Sequence, residues 1–223
     1  AGIRQLAGAC AAAMGAAADI ASDSATAAAA VPASLAPLTA LTSLKLMECL
    51  LDVRGLGSCA NLRQLHLASI AHADSVEATA DVKPAEDATE AAAAVLNREL
   101  AAALPQMQQL TKLIMAGGYT SKQQLSFGTV SHGLSNLQHL LELTLGDCDV
   151  TAACLAHLPT SLTKLQMHCA PEMTVDTVPR LQKLSKLQHL DINMAKQFGP
   201  LLLHSYPKLH YLGLVSCNIE PET

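Results

Sequence analysis

Residues Leu134–Val150 read LSNLQHLLELTLGDCDV, and the reading of that stretch decides the fold. Leucines stand at 134, 137, 140 and 143, then at 145, with Cys148 and Val150 behind them. Steps of three that switch abruptly to a step of two match neither a helix nor a simple strand. The two-residue step, Leu143 and Leu145 with Glu142, Thr144 and Gly146 between and beside them, describes a short strand with one buried face. The preceding steps of three suit a helical or 3-10 turn on the opposite side.

The pattern recurs along the chain. It is found around Leu41, Leu44 and Leu46; Leu62, Leu65 and Leu67; Leu110, Leu113 and Met115; Leu162, Leu165 and Met167; Leu187, Leu190 and Ile192; and Leu209, Leu212 and Leu214. With the opening stretch this makes seven copies, separated by 21, 48, 30, 22, 25 and 22 residues. No single copy can bury its own leucines, so the copies must stack side by side into one core and one parallel sheet. A helical bundle would need apolar residues at i, i+3, i+4 and i+7, which the LxL steps contradict. On these residues, and over residues 35–223, the chain resembles the leucine-rich repeat proteins. The resemblance implies an α/β fold: a curved solenoid, or horseshoe, with short parallel strands on the concave face and helical or 3-10 turns on the convex face. It also implies that the concave face binds a protein partner.

Two intervals are long. Residues 72–103 interrupt the array with an acidic, Pro-broken first half and an Ala/Glu helix from about 85 to 103, in which Val95, Leu96 and Leu100 are placed to face the array. Either this is an extra helix on the convex side or an acidic docking element for a basic partner. Residues 116–133 form a second insertion, a loop carrying Tyr119 and Phe127. Those aromatics either anchor a partner or pack onto the array. Residues 1–34 are Ala-rich and read as a degenerate repeat around Ile3 and Leu6, a helix or a linker. A signal peptide is a weaker outline there, since polyalanine makes a feeble apolar core.

Composition narrows the function. Half the residues are apolar but only 2% are aromatic, so the core is Leu and Ala. The net charge of -5 resides between Asp74 and Glu99, where seven acidic residues face Lys83 and Arg98, and the remainder is formally neutral. No basic stripe with stacking aromatics is present, so nucleic acid is not an expected partner. No apolar run reaches the roughly 20 residues of a membrane-spanning helix, so no membrane is expected either. The chain starts AGIRQL and ends CNIEPET directly after a repeat, so further repeats or domains of the same chain are expected.

Seven cysteines show no CxxC spacing. Cys49, Cys148 and Cys217 share the ninth position of the first, fourth and seventh copies, where a small polar side chain can hydrogen-bond the backbone. Strands about 4.8 Å apart place three-repeat neighbours about 14 Å apart, beyond disulfide reach. Free thiols suit a reducing, intracellular and cytoplasmic setting. His168, His189, Cys169 and Asp191 come from adjacent copies and raise a metal site or a Cys/His/Asp enzyme as an alternative. An exposed strand face offers no pocket for either, and no catalytic or phosphate-binding motif occurs. No enzyme, metal or cofactor is expected.

The residues between the strand leucines remain. The N-terminal copies present small or sparse groups there, whereas the later ones present Glu142, Thr144, Lys164, Gln166, His168, His189, Asp191, Asn193 and Tyr211. These nine are the candidate partner-binding residues of a non-catalytic interaction scaffold. A narrower alternative is the substrate-recognition arm of a ubiquitin-ligase adaptor or an immune-type receptor, which would require an adjoining domain.

Overall fold

The computed structural model describes residues 18–21, 40–47, 50–51, 56–68, 71–72, 86–117, 126–148, 150–168, 178–193 and 206–217. Ile3, Leu6, Cys10, Cys49, Tyr119, Cys169 and the acidic half of the first insertion lie outside these residues.

Every LxL step becomes a strand. In chain order the strands are β1 (Ala18–Ala21), β2 (Ser43–Met47), β3 (Leu50–Leu51), β4 (Gln64–Ala68) and β5 (Ala71–His72). They continue with β6 (Lys112–Ala116), β7 (Glu142–Gly146), β8 (Lys164–His168), β9 (His189–Asn193) and β10 (Tyr211–Val215). Eight of them form one parallel sheet in the order β1-β2-β4-β6-β7-β8-β9-β10, and β3 pairs with β5 in a second, two-stranded ladder. Pairing brings Leu44, Leu65, Leu113, Leu143, Leu165, Leu190 and Leu212 into one row across the sheet. The second row runs through Leu46, Leu67, Met115, Leu145, Met167, Ile192 and Leu214. Both rows point inward and, from β2 to β9, are essentially fully buried. Burying each such side chain contributes about 1.5–3 kcal/mol, which only stacked repeats can collect.

The first strand is an addition to the seven copies. Ala18 and Ile20 pair in register with Leu44 and Leu46, so the Ala-rich segment supplies a strand to the sheet. The leucine pattern does not reveal it, because an alanine, Ala18, stands in register with Leu44. The degenerate repeat expected around Ile3 and Leu6 lies outside the described residues.

Opposite the sheet run α1 (Glu86–Ala103), α2 (Phe127–Leu134), α3 (Ala152–Leu155) and α4 (Val178–Gln182), together with 3-10 turns at Leu56–Ser58 and Leu104–Gln106. The first insertion therefore contains the expected helix, with Leu96 and Leu100 buried and Val95 half-buried. The second insertion departs from the expected loop, because its last third is helical. Ser126 caps α2 by accepting from the Thr129 N–H, and Phe127 is fully buried in the core. Phe127 is thus a packing residue and not an anchor for a partner. Asn97 of α1, itself buried, accepts the Ser126 N–H at 2.9 Å and ties the two insertions together.

The turn after the strand has its own chemistry. Asp147 and Ser216 adopt left-handed backbone, with φ of 48° and 53°. Directly after them, the Cys148 thiol reaches the Gly146 and Met115 carbonyls at 3.2 and 3.7 Å. Cys217 reaches Ile192 and Val215 in the same way, at 3.3 and 3.5 Å. The ninth-position cysteine therefore ties its own strand to the strand of the preceding repeat. None of the described cysteines Cys59, Cys148, Cys154 and Cys217 is in a disulfide. Among the described residues no helix is long and apolar enough to cross a membrane.

Candidate functional site

Because successive side chains of a strand alternate between faces, the residues flanking the buried pair all project from the open, concave face. Strand pairing then sets them in rows. One row runs Lys112, Glu142, Lys164, His189, Tyr211, and the next runs Ile114, Thr144, Gln166, Asp191, Gly213. The third contains Ala116, Gly146 and His168, with Asn193 and Val215 beyond. All nine candidate residues stand on this face, across four consecutive strands.

Five of them form one directed hydrogen-bond chain that converges on Asp191. From one side, the Thr144 hydroxyl donates to Gln166 Oε1 at 3.3 Å, and Gln166 Nε2 donates to Asp191 Oδ2 at 3.4 Å. From the other, His168 Nδ1 donates to the Asn193 amide oxygen at 2.6 Å. The Asn193 amide nitrogen in turn donates to Asp191 Oδ1 and to the Ile192 carbonyl, each at 3.3 Å. Donors therefore reach the carboxylate from β8 and from β9 itself, and both are neutral amides. Asp191 takes part in no ion pair among the described residues.

The remaining four behave differently. Glu142 pairs with Lys112 at 3.1 Å, an ion pair with both side chains well exposed. Such a pair contributes at most about 1 kcal/mol, so Glu142 is occupied but not strongly held. The His189 ring lies flat on Tyr211, with centroids 4.0 Å apart and planes 7° from parallel. Burial, and then the charge of Lys164, push the His189 imidazole below its ordinary pKa, against a weaker opposing pull from Asp191 and Glu142. At neutral pH the ring is therefore uncharged, which suits stacking. Its Nε2 has no hydrogen-bond partner and is covered.

Two residues of this face gain importance that their types alone do not suggest. At Gly213 the point a Cβ would occupy is crowded, 2.7 Å from Asp191 Oδ1 and 3.1 Å from the Tyr211 ring edge, so the glycine lets both side chains lean in. Val215 is 56% exposed and Tyr211 48%, the two most exposed large apolar side chains described. The signal in the sequence is the glycine of YLGLV, at a position where the three preceding repeats carry Thr144, Gln166 and Asp191. The supposed metal or Cys/His/Asp cluster takes another form. His168 is engaged with Asn193 and His189 with Tyr211, Cys169 lies outside the described residues, and no three His, Cys, Asp or Glu side chains among those described converge as a metal site would require.

No protein-family model matches the chain, and no curated protein sequence matches it. Solved structures do. An internalin C2 of Listeria monocytogenes aligns with a TM-score of 0.55 at 20% identity, covering 85% of this chain and 68% of that one. An internalin, inlF, of the same organism aligns with a TM-score of 0.51 at 19% identity, covering 84% of this chain and 52% of that one. The TLR13–ssRNA13 complex aligns with a TM-score of 0.53 at 18% identity, covering 81% of this chain and 23% of that one. The chain thus spans about half of the second protein and about a quarter of the third. At these identities the likeness is one of fold. The neighbours are leucine-rich repeat proteins, and with parallel strands stacked one per repeat over a leucine core, this chain has the leucine-rich repeat fold.

Proposed function

We propose that this chain is a non-catalytic interaction scaffold whose concave face, over β7 to β10, receives a protein partner. The observation that carries the reading is the chain of hydrogen bonds that converges on Asp191 beside the exposed Tyr211. Side chains held in this way lose little rotamer freedom when a partner arrives, so contacts made there are not offset by ordering. A half-exposed tyrosine next to a polar network is also the kind of residue that dominates binding energy. A protein suits this face better than a nucleic acid, since its charges are mixed: Lys112 is paired with Glu142, and Asp191 stands beyond Lys164. Cysteines kept as thiols, as the described Cys59, Cys148, Cys154 and Cys217 are, favour an intracellular, cytoplasmic setting. A role as the recognition arm of a larger ligase adaptor or receptor is compatible with the same face and depends on adjoining domains.

The test is affinity capture with the intact protein beside a Tyr211→Ala/Asp191→Ala variant. Both substitutions are on the open face, so the fold is retained, which circular dichroism checks. The expected result is loss of partners from the variant; identical partner sets would remove the assignment of this face.

A further inference from the structure

The short turns that lead into the strands are built alike, and stacking gathers charge of one sign on them. Before β4 and each of β6 to β10, a leucine N–H closes the turn onto the carbonyl three residues back, as Leu187 does on Leu184 at 2.9 Å and Leu209 on Tyr206 at 3.1 Å. The residue after that leucine offers its carbonyl to two N–H groups of the next repeat. Thr163 accepts from Gln188 and His189 at 2.8 and 3.0 Å, and Gln188 from His210 and Tyr211 at 2.8 and 3.1 Å. The turns are thus locked one to the next into a continuous rim along the N-terminal ends of the strands. Residues 60–64, 108–112, 138–142, 160–164, 185–189 and 207–211 make up this rim. They hold Arg63, Lys112, Lys164, Lys186 and Lys208 against a single carboxylate, Glu142, which Lys112 already engages at 3.1 Å. Lys186 and Lys208 take the same turn position in adjacent repeats, with backbones about 5 Å apart, and both are exposed. No ion pair among the described residues involves Arg63, Lys164, Lys186 or Lys208. A cationic rim therefore stands on a chain whose net charge is -5. Along the sequence it is invisible, because Lys164, Lys186 and Lys208 are each 22 residues apart.

We infer that this rim docks an acidic segment of the protein partner, beside the concave face. The inference rests on the scaffold reading above, while its surface is a separate one. Neighbouring ammonium groups on the empty rim repel one another, and carboxylates laid between them relieve that repulsion. Backbone hydrogen bonds already fix the turns, so docking has only lysine stems to order. A nucleic acid fits less well. Its binding grooves combine cations with several stacking aromatics, whereas the rim has only Tyr211, which already stacks on His189.

The probe is acetyl-hexaglutamate amide, with acetyl-hexaglutamine amide as its uncharged counterpart. Each is titrated at low ionic strength into the isotopically labelled full chain, with the backbone amides of 160–164, 185–189 and 207–211 followed by NMR. Saturable shifts with the glutamate peptide are expected, with binding about tenfold or more weaker for the glutamine peptide and steeply weakened by salt. Lys186→Gln/Lys208→Gln should weaken the glutamate peptide by about tenfold, whereas Lys186→Arg/Lys208→Arg should retain it. Arg98→Gln, which removes a cation of α1 away from the rim, should change nothing. Equal affinity for the two peptides, unchanged binding by the glutamine double variant, the same loss from Arg98→Gln, or no saturable shift at these amides would each overturn the rim. Tighter binding of an oligothymidylate of equal charge would overturn the acidic segment as its occupant. The two proposals fail separately. If Tyr211→Ala/Asp191→Ala loses its partners but the glutamate peptide never saturates, the concave face stands and the rim falls. If the peptide binds as expected while partner sets are identical, the rim stands and the concave-face assignment falls.

Discussion

Gly117 shows how tightly successive repeats are pressed together. It follows β6 at the position that Asp147 and Ser216 fill in later repeats, and its N–H donates to the Gly146 carbonyl at 2.7 Å. A Cβ there would fall well inside contact distance of the Asp147 carbonyl oxygen, a backbone atom that cannot swing aside. Gly117→Ala is therefore expected to lower stability by about 1–3 kcal/mol, measured by denaturant unfolding, although alanine usually favours the folded chain. An unchanged midpoint would mean that the turn yields freely. Tyr206 is the converse case. It takes the place that Leu184 holds one repeat earlier, and its ring is buried as a leucine would be. Its hydroxyl, however, is enclosed without a partner, and burial drives its pKa upward. Nothing in the spacing of the leucines announces either residue, because both depend on what a neighbouring repeat places beside them.

Among the elements, α1 and α2 separate what pattern can see from what it cannot. The Ala/Glu composition of residues 86–103 is a local helix signal, and α1 follows it closely. The last third of the second insertion carries a weaker signal. SFGTVSHGL holds two glycines in a nine-residue stretch, yet it forms a helix capped by Ser126 and anchored by Phe127. Tertiary burial of Phe127, Val130 and Leu134 outweighs the unfavourable propensity. The link between the two helices is polar: buried Asn97 accepts the Ser126 N–H. Asn97→Leu would leave that amide without its acceptor, and a loss of about 1–3 kcal/mol is expected. Hydrogen exchange at Ser126 and through α2 checks the location, since the variant should open there first. If exchange rises evenly across the molecule, the coupling does not reside in this bond.

Across the whole molecule, stability is distributed along the stack. A repeat array is close to one-dimensional, each unit held by its two neighbours. Leu143 in β7 is fully buried between repeats, whereas its equivalent Leu212 in β10 is only partly so. Leu143→Ala is expected to cost about 2–5 kcal/mol and Leu212→Ala distinctly less, because the cavity left by the latter is partly open to water already. Thermal unfolding of the two variants gives the comparison, and equal losses would contradict the graded burial. The same gradient explains why β10 can carry exposed Tyr211 and Val215. Among the described residues β10 has a strand neighbour on one side only, so its side chains meet solvent on more sides than those of β7.

By itself the sequence determined the repeat, its parallel sheet and the inward rows of leucines. The alternation that defines a strand is local, and leucines that cannot be buried within one unit leave stacking as the only solution. It also placed all nine candidate side chains on one face, since a period of two assigns the face outright. Only the tertiary structure decided that Ala18–Ala21 joins the sheet, that Phe127 belongs to the core, and that donors from two strands converge on Asp191. Pairings such as Ala18 with Leu44 and Gln166 with Asp191 join residues 20 or more positions apart, and they depend on the lateral register of neighbouring repeats. In YLGLV the glycine is an omission when read along the chain. Beside Asp191 and Tyr211 it is what lets the carboxylate and the ring lean into the place a Cβ would take.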